Sequence, residues 1–137
     1  MQPFFYLCTI MKQNYQSDYI QQLVAQGEHV QQDFKFAITD ARKIARSISA
    51  FANTEGGRLL VGVKDNGKIA GVRSEEEIYM IEAAATMYCQ PKVEIRNTIY
   101  NVEGKLVAIA NIPYFAKDSY IAGDVSSILA TIINIYI

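Results

Sequence analysis

The chain has 137 residues, half of them hydrophobic and a fifth charged, a composition that closes one ordinary core and excludes a disordered or collagen-like chain. Its formal net charge is −1, so no global positive field gathers polyanions, and any nucleic-acid surface has to be a local patch. The two cysteines, Cys8 and Cys89, lie far apart without metal-ligand spacing, which argues against structural zinc and for reduced cytosolic thiols.

The opening "MQPFFYLCTI" is apolar but short, with no charged leading segment and no small-residue cleavage site. Residues 1–10 therefore read as an N-terminal extension rather than a signal peptide. No run reaches transmembrane length, since "SSILATIINIYI" is interrupted by Thr131 and Asn134. A cytoplasmic protein without a membrane partner is expected. Residues 17–26, "SDYIQQLVAQ", place Tyr19, Ile20, Leu23 and Val24 at helical spacing, with Ser17 as N-cap and Gly27 at the end. The period then changes to two in "QQDFKF". A strand there should bury Phe34 and Phe36 and put Asp33 and Lys35 together on the other face.

"TDARKIARSISAFANTEGG" carries the clearest helical pattern. Ala41, Ile44, Ala45, Ile48, Phe51 and Ala52 form one apolar stripe, Thr39 or Asp40 caps the start, and Gly56-Gly57 ends it. "RLLVGV" then reads as a central strand buried on both faces. "KDNGKIAGV" turns back through Asn66-Gly67, a strong hairpin signal. Ser74 and Glu77 have capping-box spacing, opening a helix to about Tyr88 that should bury Ile78, Ile81, Ala85 and Tyr88 before Pro91 ends it.

"KVEIRNTIYNVEGKLVAIANIP" reads as a long hairpin turning near Glu103-Gly104, with Val93, Ile95 and Ile99 alternating with polar residues. In the divergent stretch 114–137, Ile128, Leu129, Ile132 and Ile133 suit a helix, whereas Ile133, Ile135 and Ile137 suit a strand. Together these elements predict one α+β domain over residues 1–137, a mixed or antiparallel sheet with two to three helices packed on it. The apolar tail is expected to serve as core or as a homo-oligomer contact.

In that order the motifs resemble a known family. "E-x4-D-F-K", then "SAFANTEGG" and "GVKDNGKIAGV", are similar to the Schlafen AlbA-2 domain, also called the divergent AAA or DNA-binding domain, and most of all to its short bacterial members. The resemblance runs from about Met11 to Pro113 and more weakly beyond. It aligns the family's three acidic positions with Glu28, Asp33 and Asp65, and its lysine with Lys35. In the RNA-cleaving animal members the three acidic positions are catalytic, so the resemblance makes Glu28, Asp33 and Asp65 candidates for catalysis. Asp33 replaces a commoner, longer Glu, and Ala122 stands where short bacterial relatives carry the arginine of a Tyr-x-Arg.

If the strand of Asp33 pairs with the one that ends at Asp65, the three acids can meet beside Lys35. Carboxylates so gathered repel unless a proton or hard cation intervenes. Oxygen donors of this kind suit Mg²⁺ or Mn²⁺, which could assist phosphodiester hydrolysis. The best basic patch is Lys35, Arg42, Lys43 and Arg46, with Lys64 beside it, able to grip successive phosphates. No G-x-x-x-x-G-K-[ST] occurs, so nucleotide hydrolysis is not expected. His29 has no partner at metal spacing. The reading is a nucleic-acid-binding module, DNA before RNA, of the transcription-regulator type, with no certain cofactor. The alternatives are a Mg²⁺- or Mn²⁺-dependent endoribonuclease and an oligomeric interaction module.

Overall fold

The computed structural model describes residues 15–114 and the strand Asn134–Ile135. The N-terminal extension, Cys8, Ala122 and the proposed tail contact lie outside the described residues.

Helix α1 covers residues 15–25, followed by β1 (Gln32–Lys35), α2 (Ala41–Asn53), β2 (Gly57–Val61), α3 (Glu75–Met87), β3 (Cys89–Gln90), β4 (Arg96–Val102), β5 (Lys105–Ile112) and β6 (Asn134–Ile135). Among the described residues the main sheet has four strands in the order β1-β2-β5-β4, and β3 pairs with β6 in a separate ribbon. β1 and β2 are parallel, joined by the crossover helix α2, while β2–β5 and β4–β5 are antiparallel. The sheet is therefore mixed, and the domain is α+β.

Alternation along the strands makes two cores. On one face Phe34, Leu60, Val107 and Ile109 pack with Ile20 and Leu23 of α1. On the other, Leu59, Val61, Ala108 and Ala110 pack with Ile44, Ile48 and Ala52 of α2 and Ile81 and Ala85 of α3. β2 lies between β1 and β5, and its Leu59, Leu60 and Val61 are fully buried. Its unbroken apolar run follows from cover on both sides.

The α2 stripe is buried as its spacing predicts, and Asp40 is the N-cap, its carboxylate accepting from the Arg42 N–H at 2.9 Å. At the far end Thr54 and Gly56 N–H both donate to the Phe51 carbonyl. The Asn66-Gly67 turn closes with Val63 bridged to Ile69. Beyond it the chain crosses itself at Gly62, whose carbonyl accepts from the Ala70 and Gly71 N–H groups at 2.8 and 2.9 Å. Gly62 has φ of +95°, and a Cβ there would meet the Gly71 and Val72 backbone at 2.8 Å, so the crossing requires glycine.

Five local expectations change. Residue 17 is already inside α1, so Ser17 is not its N-cap. β1 stops at Lys35, so the alternation does not extend to Phe36, which is 47% exposed. Ser74 is the N-cap of α3 but makes no side-chain capping bond. The Glu77 carboxylate instead accepts from the Ile38 N–H at 2.8 Å and the Arg73 N–H at 2.9 Å, because a buried acid is better satisfied by two fixed donors. In α3 Ile78 and Tyr88 are only partly buried. In β4 Ile99 is exposed, since α3 leaves that part of the sheet open.

Candidate functional site

Because β1 and β2 run parallel, with Lys35 in register with Val61, their C-terminal ends lie on one rim of the sheet. The Lys35 carbonyl accepts from the Gly62 N–H at 2.8 Å and ties the two exits together. The residues just past each strand thereby become neighbours: Phe36 after β1, and Lys64 and Asp65 after β2. The α2 crossover starts from the same rim, shortly beyond Phe36, and carries Arg42, Lys43 and Arg46 in its first half. Such a rim, where parallel strands end and a crossover begins, is where open α/β sheets commonly hold ligands.

Glu28 reaches this region from the turn before β1. Its Oε1 accepts from the Phe34 N–H at 3.0 Å, a donor on the outer edge of β1 that no strand among the described residues pairs. The same edge is closed further back by the reciprocal His29–Gln32 bridge. Glu28 thus caps a sheet edge that would otherwise present a free N–H. Its carboxyl also lies against the Asp33 side chain, close enough for the two to share a hydrogen bond. That bond is the main reason the Glu28 carboxyl is held above its ordinary range. The Phe34 N–H opposes the shift, while partial burial and the charges of Asp33 and Asp65 add to it.

Asp33 in turn forms an ion pair with Lys35, Oδ2 to Nζ at 2.9 Å, two residues along the same strand face. Glu28 and Asp33 therefore meet, and Asp65 stands within electrostatic reach of Glu28. Among the described residues, however, no three acidic, histidine or cysteine side chains lie close enough to hold a metal ion. In this arrangement Lys35 offsets part of the carboxylate repulsion. Asp65 stays outside the pair, and the trio does not fit a divalent cation as it stands.

The basic residues occupy different situations. The charge of Lys35 is compensated by Asp33. Lys64 sits with its Nζ 5.3 Å from the centre of the Phe36 ring, and the Arg42 guanidinium lies 6.0 Å from the Tyr88 ring centre. Lys43 and Arg46 are exposed and, among the described residues, make no ion pair. Arg58 faces the other side of the sheet, where its Nε and terminal nitrogen donate to the side chains of Gln32 and Gln26. It is a structural residue that braces α1 rather than part of the patch. His29 is exposed in the turn, its ring accepting from the Gln31 N–H.

Periodicity in the sequence does not find two members of this region. Alternation puts Phe36 in the core, and the nearest sequence signal of its exposure is "FAIT", where the polar-apolar pattern fails directly after it. Capping-box spacing assigns Glu77 to its own helix, yet it anchors the Phe36–Asp40 loop through Ile38, a contact spanning 39 residues that no local pattern reports.

The fold and this rim define an α+β domain with a β-α-β crossover and an acidic-basic exit edge. The Schlafen, AlbA_2 family model matches residues 28–129, which is most of the chain and includes every element from β1 to β5. The chain belongs to that family. No curated protein matches it. Among solved structures it is similar to the N-terminal domain of a protein from Nitrosomonas europaea described as related to the ATP-dependent DNA helicase RecG, with a TM-score of 0.57 and 20% identity over 72% of each chain. It also matches the DIP2311 protein of Corynebacterium diphtheriae at a TM-score of 0.49 and 20% identity, covering 76% of this chain and 26% of that one. Within the described residues no helix is long and apolar enough to cross a membrane.

Proposed function

We propose that this domain binds nucleic acid along the rim where β1 and β2 end, DNA in preference to RNA, as a module of the transcription-regulator type. The observation that carries the reading is the placement of Arg42, Lys43 and Arg46 on the exposed side of a helix that starts from that rim, with Lys64 on the neighbouring exit. Cations presented by two fixed elements can meet successive phosphates, while interactions of this type supply affinity rather than base preference. A DNA setting also suits the description of the Nitrosomonas europaea relative as helicase-related.

The test is fluorescence polarisation with labelled DNA and RNA at several salt concentrations. Arg42→Ala with Arg46→Ala should weaken binding and flatten the dependence of log K on log salt by roughly 1 to 2, since each phosphate neutralised on duplex accounts for about 0.9. Absence of binding at low salt would remove the proposal.

A further inference from the structure

We infer that Phe36 is a base-stacking platform, so that the nucleic acid held at this rim is single-stranded. The inference rests on the binding proposal above and names its substrate class.

Three observations converge on Phe36. Its ring lies at the mouth of the rim rather than in either core, with 47% of the residue open to solvent. Lys64 stands over it from the adjacent exit, Nζ to ring centre 5.3 Å. The loop that carries it is not loose, because two residues later the Ile38 N–H is fixed on the buried carboxylate of Glu77 at 2.8 Å. An exposed apolar side chain by itself is ordinary. An exposed aromatic ring on an anchored loop, with an ammonium beside it, combines the two groups that single-strand binders use: a flat surface for the base and a cation for its phosphate.

The acids on the same rim favour an unpaired base over duplex backbone. Asp33 is paired with Lys35, which reduces the excess negative charge of the Glu28–Asp33 pair. Carboxyl groups of this kind accept hydrogen bonds from exocyclic amino groups, as in the pairing of Glu or Asp with the cytosine amino group. A duplex keeps its base faces stacked and would offer Phe36 nothing, while presenting two rows of phosphates to Asp65 and Glu28. A single strand can turn one base onto the ring and leave its phosphate to Lys64.

The experiment uses the full chain and a labelled oligonucleotide of mixed sequence, offered as a single strand and as the matching duplex. Wild type should bind the single strand more tightly. Phe36→Ala should weaken that binding roughly 5- to 150-fold, the range for losing one base–aromatic stack, and leave the salt dependence unchanged. Phe36→Leu, which keeps apolar bulk without a stacking face, should weaken it comparably. Lys64→Gln should instead flatten the salt dependence by about 0.7, the value for one phosphate neutralised on a single strand. The chain has no tryptophan, so Phe36→Trp creates a sole reporter whose emission should be quenched on binding, with affinity retained. Circular dichroism melts of each variant establish that it is folded. If wild type binds and Phe36→Ala or Phe36→Leu binds equally well, or if duplex is preferred, the stacking inference falls and the binding proposal stands. If wild type binds no nucleic acid, both fall.

Discussion

Replacing Glu77 by Ala should cost the domain about 3–5 kcal/mol, the range for stripping the partner from buried polar groups held by a charge. Glu77 is 4% exposed and sits in the first turn of α3. Its two oxygens accept from the Ile38 and Arg73 N–H groups at 2.8 and 2.9 Å. Hydrogen bonds to an ionised acceptor contribute about 1.5–3 kcal/mol each, and the loss is less than their sum because the loop relaxes. The ion pair with Arg73, 3.5 Å long with the arginine side chain 60% exposed, adds little. Ile38 is itself 3% exposed, so water cannot easily replace the missing acceptor at its N–H. Glu77→Gln keeps the shape and one acceptor oxygen and should cost about half as much. Urea denaturation followed by circular dichroism gives both values, read as a shift in midpoint at unchanged slope. A loss below about 1 kcal/mol in Glu77→Ala would refute the reasoning, since two charge-assisted bonds to buried donors cannot be worth so little. The still-folded Gln variant should also bind a single strand more weakly, because the loop it releases carries Phe36.

Gly62→Ala should destabilise by about 2–5 kcal/mol or abolish folding, combining a left-handed backbone penalty with a Cβ driven into a neighbouring backbone; an unchanged denaturation midpoint would mean the chain does not cross there. Gln32→Ala should cost about 2–4 kcal/mol, since this side chain is 1% exposed and donates to the Leu23 and Gly27 carbonyls while accepting from Arg58; the same urea assay reads it. The third concerns pH. A carboxyl held above its ordinary value favours the folded state while protonated, so the Glu28 contribution is present at acid pH and is lost as pH rises through the folded value. Glu28→Gln can keep both hydrogen bonds and does not titrate. The melting temperature of wild type relative to Glu28→Gln should therefore fall between acid and neutral pH, by a small amount for so exposed a group. A difference that is flat, or that rises with pH, would contradict the upward shift of the Glu28 carboxyl.

Local pattern was sufficient wherever an element's own residues decide its form. The α2 stripe, a cap at Thr39 or Asp40, the Asn66-Gly67 turn and the hairpin over Glu103-Gly104 are all visible in the sequence, because a period of 3.6 or 2 and a turn residue act over a few positions. The motifs that mark the family were legible for the same reason. Each lies within one strand end, helix end or hairpin.

Most of the elements, the α+β class and the residue types available to a site are therefore written in the order of the amino acids, whereas the short β3–β6 ribbon is not. Which of those residues meet is settled by packing. Parallel pairing of β1 with β2 through α2 puts Phe36 beside Lys64 and brings Glu28 within electrostatic reach of Asp65. Periodicity says only that neighbouring side chains point to opposite faces; it does not say where a strand stops or which face is covered. Phe36 is exposed because β1 ends one residue before it, and Glu77 bridges from the start of its own helix, at the Arg73 N–H, to the distant Ile38 N–H. Contacts of that range depend on how separate elements stack, which is a property of the folded whole.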